Sequence, residues 1–151
     1  RQRQMCIRDR KMVEEVVSIK NNTKILGISM LTSLDNSDLK SFGYNLSNLD
    51  YVENLAKIGE KAGIDGLVSS AEEIPHLKRH LNNTNLLFVT PGIRLYKNKI
   101  DDQKRINSPG QAIKNGSKML IIGRSITQSD DPINSIKCIL QDIEKHYEHK
   151  N

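Results

Sequence analysis

The stretch LLFVTPGIR, residues 86–94, opens on an apolar, β-compatible run and breaks at Thr90-Pro91-Gly92. Two residues after the break stands a cation, Arg94. An unbroken apolar run of this length reads as a strand covered on both faces, the pattern of parallel sheets. Proline and glycine then turn the chain, and Arg94 falls at the strand's C-terminal end, where open α/β sheets and barrels place their chemistry.

Working outward, three more runs have the same character: TKILGISML (23–31), IDGLVSS (64–70) and KMLIIG (118–123). Helical spacing fills the gaps. Residues 11–20 carry Met12, Val13, Val16, Val17 and Ile19. Ser47 reads as the N-cap of a helix with Leu49, Val52, Leu55, Ala56 and Ile58 on one face, stopped by Gly63. A short helix is expected over residues 71–81. Ser108 and Pro109 suit the N-cap and first turn of a helix ending at Gly116. Asp131-Pro132 opens a last amphipathic helix, to about His146. A helix followed by four strand–helix units predicts an α/β fold with a parallel sheet and outer helices. Right-handed crossovers then bring every strand's C-terminal end to one rim.

That rim collects Thr32-Ser33, Ser69-Ser70, the Pro91–Arg94 turn with a long polar loop containing Gln103, and Gly123-Arg124-Ser125. Two guanidinium groups, an amide and a glycine whose N–H is unobstructed suit a phosphate. The competing reading is that Arg94 and Arg124 are rim cations paired with Asp101 or Asp102. For one arginine alone that reading is preferred; for the whole constellation the ligand site is.

Composition narrows the function classes. Four arginines and one aspartate in residues 1–10 supply most of the net charge of +5, and the remainder holds 19 basic and 17 acidic residues. Only 4% of residues are aromatic, too few for a base-stacking platform, so no nucleic-acid partner is expected. No apolar run approaches the roughly 20 residues of a membrane helix. Cys6 and Cys138 are isolated and read as reduced thiols, and a cytoplasmic location is expected. His76 and His80, four apart, lack a readable third ligand and are taken as surface histidines, so no metal is expected. Gly59, Gly63 and Gly66 do not form G-x-G-x-x-G, the dinucleotide fingerprint.

Together, LTS (31–33), DGLVSSAEE (65–73), FVTPGIR (88–94), DDQKR (101–105), SPGQAIKNGS (108–117) and IIGRSITQSDDP (121–132) resemble bacterial orotidine 5′-phosphate decarboxylases in order and spacing. Departures are small: Leu95 stands where that family usually has proline, Asp101 where it often has glycine, and GRSIT replaces GRPIT. The resemblance implies a TIM-like (β/α)8 barrel, of which residues 11–151 would form the last four βα units. It also implies conversion of orotidine monophosphate to uridine monophosphate and carbon dioxide, by a homodimer using neither metal nor organic cofactor. Thr32 would bond the pyrimidine edge, Gln103 would bridge base and phosphate, and Arg94, Gly123 and Arg124 would hold the phosphate. Pro91, with its neighbours Val89 and Thr90, would wall the ring, and the 95–107 loop would close over the ligand. The family's catalytic Asp-x-Lys-x-x-Asp pattern does not occur in these residues, so no catalytic residue is assigned and the chain alone is expected to be inactive.

Residues 1–10, RQRQMCIRDR, show no apolar periodicity and match nothing in the resemblance, which predicts a foreign leader that packs loosely. Two other classes stay open: a different sugar-phosphate barrel enzyme, and a non-catalytic phosphate-binding half-barrel.

Overall fold

The computed structural model describes residues 2–6, 10–83, 85–95 and 105–147, with the backbone alone at 2–6 and 147. In chain order the elements are β1 (Gln2–Cys6), α1 (Arg10–Ser18), β2 (Lys24–Ile28), α2 (Asn36–Ser41), α3 (Asn48–Ala62), β3 (Gly66–Val68), α4 (Ile74–His80) and β4 (Leu87–Thr90). They continue with α5 (Pro109–Asn115), β5 (Met119–Leu120), α6 (Arg124–Thr127) and α7 (Pro132–Tyr147). The strands form one sheet in the order β1-β2-β3-β4-β5, every neighbour parallel. Strand order equal to chain order means that the winding never reverses, as in a barrel and unlike a doubly wound sheet.

The sheet therefore has five strands where four were expected. The extra one comes from residues 1–10: Gln2 to Cys6 run beside Lys24 to Ile28 in register. Loose packing of that segment is corrected at the level of the backbone. Its Arg/Gln-rich sequence hides a strand because backbone pairing asks nothing of side-chain polarity. Among the described residues the free edges are consequently β1 and β5.

Local chemistry explains the helix limits. Ser47 Oγ accepts from the Asp50 N–H at 3.1 Å, and α3 stops at Gly63 with φ +83°. Ser108 Oγ accepts from the Gln111 N–H at 3.2 Å, and α5 stops at Gly116 with φ +106°. These are left-handed caps that glycine adopts without a Cβ penalty. α2 was not anticipated, although Asp35 and Asp38 form a reciprocal capping box.

Alternate residues of each strand face opposite layers. Ile25, Leu67 and Phe88 pack with Val13, Val52, Leu55, Ile74 and Leu77 in the main core under α1, α3 and α4. Leu26, Val68 and Val89 form a smaller cluster on the other face, with Ile28 and Leu87 against it. At the N-terminal ends, Asp65 Oδ2 accepts from the Ile25 N–H and from Lys20 Nζ, each at 2.7 Å, while its own N–H and carbonyl bond to β2 and β4 neighbours. This knot sets the register of three strands.

Candidate phosphate-binding site

The PGIR turn has the geometry that its sequence demands. Gly92 takes φ +73°, and the chain doubles back so that Ile93 bridges to Asn107 in parallel. The Arg94 N–H donates to the Asn107 carbonyl at 3.0 Å, and the Asn107 N–H to the Gly92 carbonyl at 3.1 Å. The long loop is thus zipped shut at its base. Arg94 is buried, and its Nη1 donates to the Ile93 carbonyl at 2.9 Å.

The turn after β5 docks on the same segment: Ser125 Oγ donates to the Ile93 carbonyl at 3.2 Å. Gly123, exposed and N-terminal to α6, has open space where a Cβ would stand, so its backbone is accessible. Arg124 is half-buried beside it. Thr32 is buried just beyond β2, and its carbonyl accepts from the Arg105 N–H at 3.2 Å. Pro91 is half-buried at the end of β4. Gln103, Asp101 and Asp102 lie outside the described residues.

Two residues that the sequence reading passed over organise this rim. Arg105 forms an ion pair with Glu73, with the two side chains only 10% and 3% exposed. Its Nη2 also donates to the carbonyls of Met30 (3.2 Å) and Leu31 (2.8 Å), beyond β2. Burial pulls the guanidinium below its ordinary pKa, opposed by the carboxylates of Glu72 and Asp35; an arginine stays charged through such shifts. Glu73 also accepts from the Ser70 N–H at 2.9 Å. One guanidinium therefore ties the returning loop to the rims of β2 and β3. Both residues stand inside the quoted motifs, DDQKR and DGLVSSAEE, but 32 positions apart; nothing local signals the pairing.

The side-chain hydroxyls of Ser69, Ser70 and Thr90, at the C-terminal ends of β3 and β4, are buried without a partner among the described residues. An unsatisfied buried hydroxyl costs about 1–3 kcal/mol, a cost that a bound polar ligand would offset. Taken together, the rim offers a cation-bearing turn, an accessible glycine backbone and unpaired hydroxyls on one side of a parallel sheet.

Residues 5–139 match the model of the orotidine 5′-phosphate decarboxylase / HUMPS family. The chain belongs to this family. An orotidine 5′-phosphate decarboxylase of Coxiella burnetii is 43% identical over 140 residues, covering 89% of this chain and 59% of that protein. Those of Ehrlichia chaffeensis and Aquifex aeolicus are 38% and 40% identical, with 89% and 82% of this chain covered and 58% and 53% of theirs. The chain thus spans somewhat more than half the length of these curated relatives. Among solved structures, the Lactobacillus acidophilus orotidine 5′-phosphate decarboxylase superposes with a TM-score of 0.73 at 24% identity, over 94% of this chain and 62% of that one. This supports the barrel topology read from strand order. Membership rests on the aligned residues, and the family match starts at Met5, inside the segment read as a leader.

Proposed function

We propose that the protein is an orotidine 5′-phosphate decarboxylase, and that this chain supplies its phosphate and part of its pyrimidine recognition. The observation that carries the reading is the contact of Ser125 with the Ile93 carbonyl, which couples the Arg94 turn to the Gly123-Arg124 turn at one rim. Arg94, Gly123 and Arg124 bind the phosphate, Gln103 bridges phosphate and base, Thr32 bonds the pyrimidine edge, and Pro91 walls the ring. Phosphate binding supplies affinity and holds the 95–107 loop closed; the chemical step itself needs groups that act on the carboxylate and ring carbon. The Asp-x-Lys-x-x-Asp pattern that would provide them is not among these 151 residues. The working enzyme is a cytoplasmic homodimer, without nucleic-acid or membrane partners. Among the described residues no helix is long and apolar enough to cross a membrane.

The test is ligand choice. In the enzyme carrying the decarboxylase segment, Arg124→Ala should weaken uridine monophosphate binding by about 1.5–3 kcal/mol, the range for a charge-assisted hydrogen bond. An unchanged dissociation constant removes the phosphate role, and tighter binding of ribulose 5-phosphate than of uridine monophosphate moves the protein to a different sugar-phosphate chemistry. For residues 1–10 we propose a foreign leader on their lack of apolar periodicity, against the β1 pairing; genomic DNA encoding them in frame would refute it.

A further inference from the structure

The third ligand that the histidine pair lacked in the sequence is present in the fold. His76 and His80 lie on α4, and α3 packs beside it with Glu53 facing them. His76 Nε2 is 2.5 Å from Glu53 Oε2, and His80 Nδ1 is 4.0 Å from the same oxygen. One ring nitrogen of each histidine and a Glu53 oxygen lie within 4.8 Å of one another. The two rings stack with centroids 4.2 Å apart.

We propose that Glu53, His76 and His80 form a binding site for a divalent transition metal, Zn²⁺ foremost, that staples α3 to α4. Two imidazoles four apart on a helix with one carboxylate is a donor set suited to zinc, with water in a fourth position. The Glu53 and His76 side chains are 15% and 23% exposed, and His80 is 43% exposed at the outer side of the cluster. Lys57 Nζ occupies the other Glu53 oxygen, Oε1, at 2.5 Å and leaves Oε2 to the metal. Such an outer bond orients a ligating carboxylate. His80 Nδ1 lies 2.8 Å from the His76 carbonyl. That contact leaves Nε2 as the lone-pair nitrogen, so ligation by His80 requires its ring to turn and bring Nε2, rather than Nδ1, toward Glu53 Oε2. Ligands at about 2.0–2.2 Å from zinc stand roughly 3.5 Å apart. Loading therefore opens the Glu53–His76 contact by about an ångström and draws His80 in. The His76 Nε2 proton moves to Nδ1 or to solvent.

The site is independent of the decarboxylase reading, so its test uses no enzymatic activity. Zn²⁺ is titrated into the 151-residue chain against a chromophoric chelator, and thermal unfolding is followed with and without metal. The expected result is one equivalent bound and a raised Tm. His76→Asn and His80→Asn should each weaken binding at least tenfold and erase the Tm rise, with circular dichroism unchanged. Cys6→Ser/Cys138→Ser/His146→Gln should bind as the parent does. Co²⁺ should give the intense visible absorption of a four-coordinate site in the parent and lose it in His76→Asn. Absence of stoichiometric binding overturns the proposal. So does binding that survives both histidine substitutions, or that disappears in the cysteine and His146 variant.

Discussion

At the scale of single residues, two carboxylates with structural duties, Glu73 and Asp65, behave differently. Glu73 and Arg105 are a desolvated pair, and removing one partner strands the other's charge. Glu73→Gln should therefore destabilise the fold by about 3 kcal/mol, measured by urea unfolding. An apolar replacement of both, Glu73→Leu with Arg105→Met, should recover much of that loss; a double variant as unstable as the single would show that the guanidinium's charge is not the cause. Asp65 is more open. Partial burial pushes its carboxyl up, but Lys20 and the Ile25 N–H outweigh burial and leave its pKa below the ordinary value. A depressed carboxyl stabilises the folded state above its unfolded pKa of roughly 4, and the contribution is lost as pH falls from there through the folded value. Asp65→Asn should cost about 1 kcal/mol at pH 7 and nothing once both forms are protonated. Unfolding midpoints of parent and variant that stay equally separated down to pH 2 would refute this assignment.

At the scale of elements, α5 and α7 approach closely through Gly110. The Gly110 N–H donates to Asp142 Oδ2 at 2.7 Å, and a Cβ on Gly110 would collide with the Asp142 carbonyl and the His146 ring. Gly110→Ala should destabilise by about 1–3 kcal/mol, the range for overpacking, with α7 the first segment to lose amide protection in hydrogen exchange. Unchanged stability would mean that α7 is held elsewhere. Elements with their own punctuation were legible in the sequence: Ser47 and Gly63 bound α3, and Ser108 and Gly116 bound α5. The run at 118–123 shrinks to Met119–Leu120, which pair with Val89 and Thr90 at the C-terminal end of β4. β1 and the Arg105–Glu73 pair were illegible for one reason: each depends on residues distant in sequence. Glu53 escaped in the same way, standing 23 positions before His76. Of the expected phosphate groups, the fold brings the Arg94 and Gly123-Arg124 turns together, and Gln103 lies outside the described residues.

At the scale of the whole molecule, the described strands form an open parallel sheet with two edges. β5 is one, and Met119 and Ile121 beside that edge are 41% and 42% exposed. On α7, Ile133, Ile136 and Leu140 are also exposed. Unpaired strand edges flanked by apolar side chains recruit other chains. The chain by itself should self-associate at micromolar concentration, seen as a molar mass in light scattering that rises with concentration, and should form no uridine monophosphate. Met119→Thr with Ile121→Lys should reduce the association. A monodisperse monomer that turns over orotidine monophosphate at the rate of a full-length relative would overturn both expectations.

The bridge between Ile93 and Asn107 has a consequence for how this protein can change over generations. With Arg94 and Arg105 each anchored at the base, the ten residues between them close a ring whose two ends are already held. Closing such a ring costs entropy that grows only with the logarithm of its length, about 0.6 kcal/mol for each doubling. Insertions and deletions there leave the anchors in place. Lineages can therefore change the length and polarity of this segment while the turns that anchor its two ends keep their positions.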